Sequence, residues 1–469
     1  MLTNLDFLKP GSAWPPYGER ERLQRYRSNK MLFEGEHATV FKEVWRRLFR
    51  TELHMSIEIV LNWPKRLSTL WADFLLGETP NLSDGGNKDA EDYLIELVDK
   101  TALWRRAYAA ALDCSRFGDT VLKARRDAHS NVKVSVIPPF HWFPVVSEDD
   151  AQEIVYHVLA WPGSSLDLWG QRAAKLYVEI RSDDEVIFRR YRMPSGFDPV
   201  HGGTLGVLEE ETREKNIVGR NYVVHIPNMQ RSDSIFGLDD YDDLTSVMQE
   251  LEVRFAQVAR VLDAHADPKM YGPDFTTVDD ETGIRRANIG DYVPLTDGDT
   301  PPAYITWDGR LDMSFTQIEK MMQQFYMLSE TSPSVFGEIQ SGLAESGSAL
   351  RRLMMAPLAK VNRVRMGFDA GLKELIRVAA KLDGKDIDPK IEWRDGLPDD
   401  DTERTTNEAT AVGAGISSKQ SAMKRLYRMS DEQAEEELKR IEDETPAVTE
   451  PDKPFGDGDD NDDDGGNGE

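Results

Sequence analysis

The sequence contains very little cysteine and no long apolar run. Among its 469 residues there is one cysteine, Cys114, which excludes an intrachain disulfide and fits a reducing compartment. No apolar run approaches the roughly 20 residues that a membrane-spanning helix requires. The first residues lack the charged and apolar regions of a secretory signal. We therefore expect a soluble, intracellular protein in which Cys114 is a buried, unreactive thiol at a helix end.

A complete nucleotide-binding signature is also missing. The spacing of Gly337 and Gly342 matches that of a phosphate-binding loop. Leu343 and Ala344, however, occupy the positions where such a loop needs a lysine and a hydroxyl residue to reach phosphate and Mg²⁺. We therefore reject nucleotide binding and expect the glycines, with Gly347, to form a mobile polar loop.

Catalytic and metal-binding patterns are not found either. The eight histidines are scattered, with no HExxH motif and no pair at helical spacing, so a zinc site is not predicted. No GxSxG elbow is present. Asp149 with Asp150, and Asp279 with Asp280, lie in turn-like sequences that favour solvated charge. The sequence therefore predicts no catalytic residue, no metal ligand and no cofactor.

Negative charge dominates the composition, with 84 acidic against 57 basic residues and a formal net charge of -27. Residues 445–469 are rich in Asp, Gly and Pro, with a single aromatic residue. Such a segment cannot bury enough apolar surface to fold, so a disordered acidic tail is predicted. Solubilisation is the simplest role for it. The alternative is that the tail repels nucleic acid or docks on a basic partner.

Positive charge is concentrated in one long helical segment that follows the glycine-rich loop. Its cations are Arg351, Arg352, Lys360, Arg363, Arg365, Lys373, Arg377 and Lys381. Only Asp369 and Glu374 oppose them within the segment. Nearly unopposed cations indicate contacts to DNA phosphates that do not depend on base sequence. The alternative is an ordinary solvent-exposed charged face. Pro357 is expected to kink the helix, because proline lacks an N–H and its ring clashes with the preceding turn.

The hydrophobic period changes along the first half of the chain. Residues up to about Asn29 are interrupted by prolines and are expected to be irregular. Helical spacing follows, in which Pro64 should begin or kink one helix and Gly118 should end the last. From Thr120, alternating apolar residues predict one antiparallel, meander-like sheet. Residues 1–235 therefore form an α+β unit.

Two predicted helices flank a small strand module in the second half. The first is predicted to begin at Asp239, where negative charge suits the helix dipole, and to end before Pro268. Residues 268–312 carry strand and turn patterns, including a DDETG hairpin turn. The second helix is predicted to begin at Ser314. A compact connection through the module requires these two helices to run antiparallel. After a short strand, small helices are predicted over 417–427 and 430–442.

Several segments together resemble the portal, or connector, proteins of long-tailed bacteriophages. They are FGDTVLKARRD, VSVIPPFHWFPVV, IPNMQRSDSIFGLDDYDDL, DPKMYGPD and FYMLSETSPSVFGE…SGSALRRLMMAPLAKVNRVR. None is a catalytic signature, and the likeness comes from their order over nearly the whole chain. It implies an α+β portal-like fold with a helical and antiparallel-sheet wing and two antiparallel stem helices. It also implies a small α/β or β clip, a long proline-kinked helix and a helical C-terminal crown.

The resemblance assigns a role to each region. The wing would consist of an N-terminal α+β part, 1–235, and of the kinked helix and returning strand, 348–394. The stem helices would be 236–267 and 313–330, with the clip, 268–312, between them. The tunnel loop would be 331–347 and the crown 395–444. Residues 445–469, the acidic tail, receive no portal role.

The resemblance also implies a function without catalysis. The protein would form a homo-oligomeric ring, a dodecamer, at one capsid vertex, through which double-stranded DNA is packaged and ejected. Its partners would be DNA, the terminase large subunit, a head-completion or adaptor protein, and the capsid and scaffolding proteins, with no membrane. It would be located in the virion, and in the host cytoplasm during assembly.

Candidate site residues follow from these regions. The tunnel-loop candidates are Ser334, Val335, Phe336, Glu338, Gln340, Ser341, Leu343, Glu345 and Ser346. The basic-helix candidates are Arg351, Arg352, Lys360, Arg363 and Arg365, with Pro357 at the kink. The clip candidates for docking of the terminase and connector are Lys269, Tyr271, Arg285, Arg286 and Tyr292.

Two other hypotheses remain open from the sequence. One is a metal-dependent nuclease that uses the acidic turns. The other is a scaffold that binds a protein partner through the acidic tail.

Overall fold

The computed structural model describes most of the chain. The described residues are 1–42, 59–84, 88–166, 172–198, 202–266, 311–337, 352–394, 401–427 and 431–444, with short pieces at 270–271, 276–278, 281–283, 285–287, 298, 301, 303–304 and 429. The acidic tail over 445–469 lies outside them. The chain divides into two compact units, Met1–Leu397 and Pro398–Glu469. None of the described helices is both long and apolar enough to cross a membrane.

The first unit mixes helices and strands. Its described α-helices are α1 (Arg20–Glu34), α2 (His37–Val40), α3 (Trp63–Leu76), α4 (Lys88–Thr101), α5 (Leu103–Phe117), α6 (Thr245–Ala266), α7 (Leu311–Leu328) and α8 (Met355–Leu382). Short 3-10 helices are Asp6–Leu8, Tyr17–Glu19, Pro139–His141 and Pro333–Phe336.

The strands fall mainly between α5 and α6. They are β1 (Ala13–Trp14), β2 (Asn81–Ser83), β3 (Asp119–Arg126), β4 (Val132–Ile137), β5 (Trp142–Val146), β6 (Ile154–Leu166), β7 (Arg172–Arg181), β8 (Glu185–Arg192), β9 (Gly203–Thr204), β10 (Val207–Lys215), β11 (Val223–Pro227), β12 (Met229–Arg231), β13 (Ser234–Leu238), β14 (Met270–Tyr271), β15 (Thr276–Val278), β16 (Arg285–Ala287), β17 (Ala303–Tyr304) and β18 (Lys390–Glu392).

Local signals place several helix ends where the sequence predicts them. Asn62 accepts a hydrogen bond from the Lys65 N–H at the start of α3, and Pro64 lies in the first turn, where a missing N–H does no harm. Gly118 ends α5 at a φ of 82°. A Cβ there would lie 2.6 Å from the Gly237 oxygen, so only glycine fits. The predictions for Pro64 and Gly118 are confirmed.

Helix α1 corrects the prediction of an irregular N-terminus. Its buried residues include Leu23, Tyr26 and Leu32, but also Arg22 and Asn29, so the buried face does not read as apolar in the sequence. Polar contacts compensate for the burial. The Arg22 guanidinium, for example, donates to the Trp142 carbonyl at 2.9 Å.

The predicted single sheet is in fact two antiparallel sheets. One has the strand order β10-β8-β7-β6-β5 and the other has the order β11-β3-β4. The chain passes from the second sheet to the first between β4 and β5, through Pro138, Pro139 and a 3-10 turn. Proline cannot donate to a sheet ladder, so this dipeptide ends one sheet before the next begins. The prediction was therefore right in strand type and wrong in sheet number.

Helix α8 packs onto the N-terminal region of the chain. A single buried apolar cluster, called here the main core, joins residues of α3, α4, α5, β3, β4 and β11 with residues of α6, α7 and α8. The approach of α8 to β11 is close, because a Cβ at Gly371 would lie 2.5 Å from the Ile226 side chain. After α8 the chain returns as β18, which pairs antiparallel with β2. The main core therefore ties residues before 120 to residues after 360.

The helix α6 begins later than predicted. Asp239 and Asp240 both lie before its first residue, Thr245, and Asp240 begins a turn. The Asp239 carboxylate accepts from the Tyr241 N–H at 3.0 Å, a local bond that competes with helix formation. The predicted end of α6 before Pro268 is confirmed, since the helix stops at Ala266.

Helices α7 and α8 also correct the sequence prediction. Helix α7 begins at Leu311 instead of Ser314, with Asp312 in its first turn, where the helix dipole favours a carboxylate. Residues 352–353 are helical, Met354 is a turn, and α8 then runs without interruption for 28 residues, about 42 Å. Pro357 therefore lies in the first turn of α8, and the interruption lies on its N-terminal side.

Between α6 and α7 the described strands form two short ladders. Strands β15 and β16 pair as a hairpin across residues 281–283, with Gly283 at a φ of 66°, which confirms the predicted hairpin. Strands β14 and β17 pair antiparallel and bring the entry and exit of the module together. Helices α6 and α7 contact each other.

The second unit contains α9 (Asp401–Gly413), α10 (Lys419–Tyr427) and α11 (Asp431–Glu444). Helix α10 begins two residues after the predicted Ser417, because the Ser418 hydroxyl accepts from the Ser421 N–H and caps the helix. Arg425 of α10 donates twice to the Glu408 carboxylate of α9, both at 2.7 Å.

Candidate functional site

The candidate tunnel loop begins at an unusual helix end. After α7, the Thr331 N–H donates to the Tyr326 carbonyl at 2.9 Å and the Glu330 N–H donates to the Met327 carbonyl at 3.3 Å. This pair of bonds is a Schellman motif, which requires a left-handed residue at its centre. Here that residue is Glu330, with a φ of 57°. The corresponding positions after α1 and α5 are Gly35 and Gly118.

Aromatic packing fixes the first described residues of this loop. Phe336 lies edge-on to Trp63 with ring centroids 5.5 Å apart, and 5.8 Å from the Tyr326 ring. Trp63 in turn packs 5.1 Å from Phe325. Of the tunnel-loop candidates, Val335 and Phe336 pack against the main core, and Ser334 is half-buried. The remaining candidates, Glu338, Gln340, Ser341, Leu343, Glu345 and Ser346, lie outside the described residues.

Lys360 of the basic helix is buried. Its ammonium lies 2.8 Å from the Asp240 carboxylate and 4.4 Å from the centre of the Trp71 ring. The side chains of Lys360 and Asp240 are 9% and 5% exposed, so neither can reach a ligand in solvent without leaving the core.

Asp240 is the centre of a buried hydrogen-bond network. Its carboxylate accepts from the Ser115 hydroxyl at 2.6 Å and from the Asn228 amide at 2.9 Å. Ser115 also bonds Ser68, which bonds the Tyr241 hydroxyl at 2.6 Å. Burial raises the pKa of the Tyr241 hydroxyl, so it stays a neutral donor. The network joins α3, α5, α8 and the turn before α6.

Arg363 lies one turn after Lys360 and bridges the candidate loop. Its guanidinium donates to both oxygens of Glu330, at 2.5 and 2.7 Å. The two side chains are 43% and 33% exposed. Glu330 and Arg363 therefore join the end of α7 to α8 across the segment that contains the tunnel-loop candidates.

Three further described cations of α8, Arg365, Lys373 and Arg377, have partners too. Arg365 donates to the Arg394 carbonyl and lies over the Trp393 ring, Lys373 pairs with Asp369, and Arg377 pairs with Asp388. The expectation of nearly unopposed cations is therefore wrong for this helix. The partners come from other segments, which the local charge count could not include. Arg352 is exposed, and Arg351 lies outside the described residues.

Asp239 carries a strongly shifted carboxyl group. Burial raises its pKa to about 6, although the Arg25 guanidinium opposes the shift. The Arg25 Nε lies 3.3 Å from the Asp239 Oδ2. Asp242 and Asp243 follow on the exposed side of the same turn. Of the four aspartates near the start of α6, Asp239 and Asp240 therefore have buried side chains with a structural role, and Asp242 and Asp243 are exposed.

A second buried network involves the histidines. Tyr26 donates to the Asp119 carboxylate at 2.5 Å, and His225 Nε2 lies 2.7 Å from its other oxygen. The Trp142 ring stacks on His225 and its indole donates to His157 at 3.1 Å. Burial lowers the pKa of His157 to about 3. No local sequence pattern predicts this network, because its members are spread from α1 to β11.

Cys114 is buried, as predicted. Burial raises the pKa of its thiol well above the ordinary value, so the thiol stays protonated at neutral pH. Among the residues that the structure describes, no group of three or more His, Cys, Asp or Glu is arranged to hold a metal ion.

The clip candidates are only partly placed. Tyr271, Arg285 and Arg286 lie on β14 and β16, and Lys269 and Tyr292 lie outside the described residues.

Comparison with known proteins gives one informative match. The sequence matches the phage portal protein family, SPP1 Gp6-like, over residues 14–450. No curated protein matches the sequence. The similar solved structures include "Neck of native GTA particle computed with C12 symmetry" at 14% identity and "Neck of empty GTA particle computed with C6 symmetry" at 15%. Each has a TM-score of 0.47 and covers 77% of this chain and 89% of the other chain. Because the family match spans nearly all described residues, the chain belongs to the SPP1 Gp6-like family of phage portal proteins.

Proposed function

We propose that this protein forms the ring-shaped channel at one capsid vertex through which double-stranded DNA is packaged and ejected. The observation that carries the proposal is the family match over residues 14–450. Membership supports a portal or connector role in the virion. A closed ring needs one kind of head-to-tail contact whose rotation divides a full turn. We assign twelve copies to that ring.

The described packing supports the regional assignment that we propose. Helices α6 and α7, which contact each other, are the stem helices, and the strand module between them is the clip. The β14–β17 ladder supports this assignment, because it brings the start and end of the module together. Helix α8 packs on the main core and belongs, with residues 1–235, to the wing. Residues 395–444 are the proposed crown, and the second compact unit begins within them, at Pro398.

Residues 331–347 are proposed to surround DNA as the tunnel loop. The anchoring of both flanks supports this role, because a segment that guides a moving polymer must start and end at fixed points. In the basic helical segment, we propose that Arg351 and the exposed Arg352 contact DNA phosphates. Lys360 is reassigned from DNA contact to the core, since its charge is used by Asp240.

The clip is proposed to dock the terminase large subunit during packaging, and a head-completion or adaptor protein afterwards. Lys269, Tyr271, Arg285, Arg286 and Tyr292 are the proposed contacts. Capsid and scaffolding proteins would contact the ring during assembly in the host cytoplasm. The high net negative charge of the chain would keep DNA from adhering to the channel while it moves.

The proposal includes no catalytic step, in keeping with the structural role that is typical of the family. The nuclease hypothesis gains no support from the described acidic turn, since Asp149 and Asp150 are exposed. Incubation with plasmid and Mg²⁺ or Mn²⁺ should leave the plasmid intact.

Assembly gives the direct test of the proposal. Native mass spectrometry and negative-stain images of the purified protein should show a closed ring with a central hole. A protein that stays monomeric at every concentration and salt condition would refute the portal assignment.

A further inference from the structure

We propose that Glu330 and Arg363 form a positioning pair that fixes the α7 end of the segment through which the protein contacts DNA. The inference rests on the proposed function and adds to it a named device. Its basis lies entirely in described residues on either side of that segment, in α7, in α8 and in the turn that follows α7.

The first observation is the residue at the end of α7. A left-handed backbone is unfavourable for a residue with a Cβ, and glycine is the usual solution, as at Gly35 and Gly118. Glu330 takes the same conformation with a full side chain. A glutamate at this position therefore weakens the helix end relative to glycine, and local stability does not explain it.

The second observation is what the Glu330 side chain does. Its two carboxylate oxygens accept from Arg363, which lies 33 positions later in the chain. Both bonds come from the single Nη2 atom of Arg363, and such a charge-assisted contact fixes the distance between the two side chains. The left-handed turn directs this carboxylate to α8, and the contact therefore sets the spacing between the last turn of α7 and α8.

The third observation concerns the neighbouring turn of α8. Lys360, one turn before Arg363, is held in the core by Asp240, next to the start of α6. Helix α8 is therefore already fixed, one turn before the position of Arg363, by the Lys360–Asp240 pair. Given this fixed helix, the Glu330–Arg363 pair positions the end of α7 and is not needed to position α8.

A control ion pair involves Glu374 of the same helix, α8, and Arg220, which lies between β10 and β11. Arg220 donates to both oxygens of Glu374, at 2.8 and 2.9 Å, and these side chains are 44% and 34% exposed. Exposed ion pairs of this kind contribute little to stability. The two pairs match in hydrogen-bond geometry and exposure, although Glu374 also lies 3.6 Å from Arg377. The Arg220 pair is remote in sequence from the candidate DNA segment.

The experiment compares phage particles that carry Glu330→Gly, Arg363→Gln or the control Arg220→Gln in this protein. Ring formation and the thermal midpoint are measured on purified protein, and packaged DNA is measured per particle. We expect all three variants to form rings. Glu330→Gly should keep or raise the thermal midpoint, because glycine suits the left-handed position, and yet lose packaged DNA. Arg363→Gln should lose packaged DNA, and Arg220→Gln should package as the wild type does.

The exchanged pair, Glu330→Arg with Arg363→Glu, separates positioning from charge. It should recover much of the packaging that Arg363→Gln loses. The inference is overturned if Glu330→Gly packages normally, or if the loss in Arg363→Gln is matched in Arg220→Gln. It is also overturned if the exchanged pair recovers nothing. Failure of the proposed function would look different, because the wild-type protein itself would then form no ring and carry no DNA through it.

Discussion

Two ion pairs that involve neighbouring turns of helix α8, Lys360–Asp240 and Arg363–Glu330, differ in almost every physical respect. Lys360 and Asp240 are buried, share a hydrogen-bond network and lie against Trp71. Arg363 and Glu330 are partly exposed and join the end of α7 to α8. Removal of one partner from a buried pair leaves an uncompensated charge in the core, whereas an exposed pair is screened by solvent. The same type of contact therefore builds the core in one turn and positions a helix end in the next.

The largest effect is expected from the buried member of this comparison. Lys360→Met keeps the side-chain length but leaves the Asp240 carboxylate without its cation. The free energy of unfolding should fall by about 3–5 kcal/mol, as for other broken buried pairs. Urea denaturation measures the loss. In the double variant with Asp240→Asn the loss should be smaller, and a loss no larger than that of Arg363→Gln would contradict the distinction between the pairs.

Asp239, next to Asp240, allows the effect of burial on a carboxyl group to be measured, because the pKa of Asp239 is raised although Arg25 lies nearby. Its pKa is about 6 in the folded protein, against an ordinary value of 3.8, so the folded state binds the proton more tightly. Its contribution to stability is therefore present at low pH and is lost as the pH rises from about 4 through 6. A shift of this size corresponds to roughly 3 kcal/mol at most.

Asp239→Asn should remove this pH dependence. As the pH rises from 4 to 7, the free energy of unfolding of the variant should increase relative to that of the wild type, as measured by denaturation at each pH. Asp242→Asn, on the exposed side of the same turn, is the control and should follow the wild type. A constant difference between Asp239→Asn and the wild type at every pH would show that the carboxyl does not titrate in this range.

The smallest effect on stability is expected from the exposed pair. Arg363→Gln should lower the free energy of unfolding by no more than about 1 kcal/mol. This loss should shrink at high salt, because ions screen exposed charges. The loss in Lys360→Met should change little with salt. Equal salt dependence of the two variants would mean that burial does not separate them.

Much of the fold could be predicted from residues that act locally. Pro64, Gly118 and Pro268 mark helix ends through backbone geometry alone, and alternating apolar residues identify strands. Helix α1 was missed because its buried face includes Arg22 and Asn29, whose partners lie far away in sequence. The split into two sheets was missed because strand alternation does not show which strands pair.

The candidate site was harder to predict for a related reason. A local count of charge on α8 found few acids, yet Asp240, Glu330 and Asp388 supply them from other segments. The count is a property of the sequence, but the electrostatic environment is a property of the fold. Family resemblance, by contrast, was predictable, because it depends on several segments in order and is confirmed over residues 14–450.

The β14–β17 ladder has a consequence for protein engineering. Because Met270 pairs with Tyr304 and Tyr271 with Ala303, everything between these strands is an excursion that leaves and returns at one point. Lengthening or replacing that excursion leaves the separation of its two anchor strands unchanged. We therefore expect that a tag, or the corresponding piece of a related protein, can be grafted between β14 and β17 while α6 and α7 keep their contact.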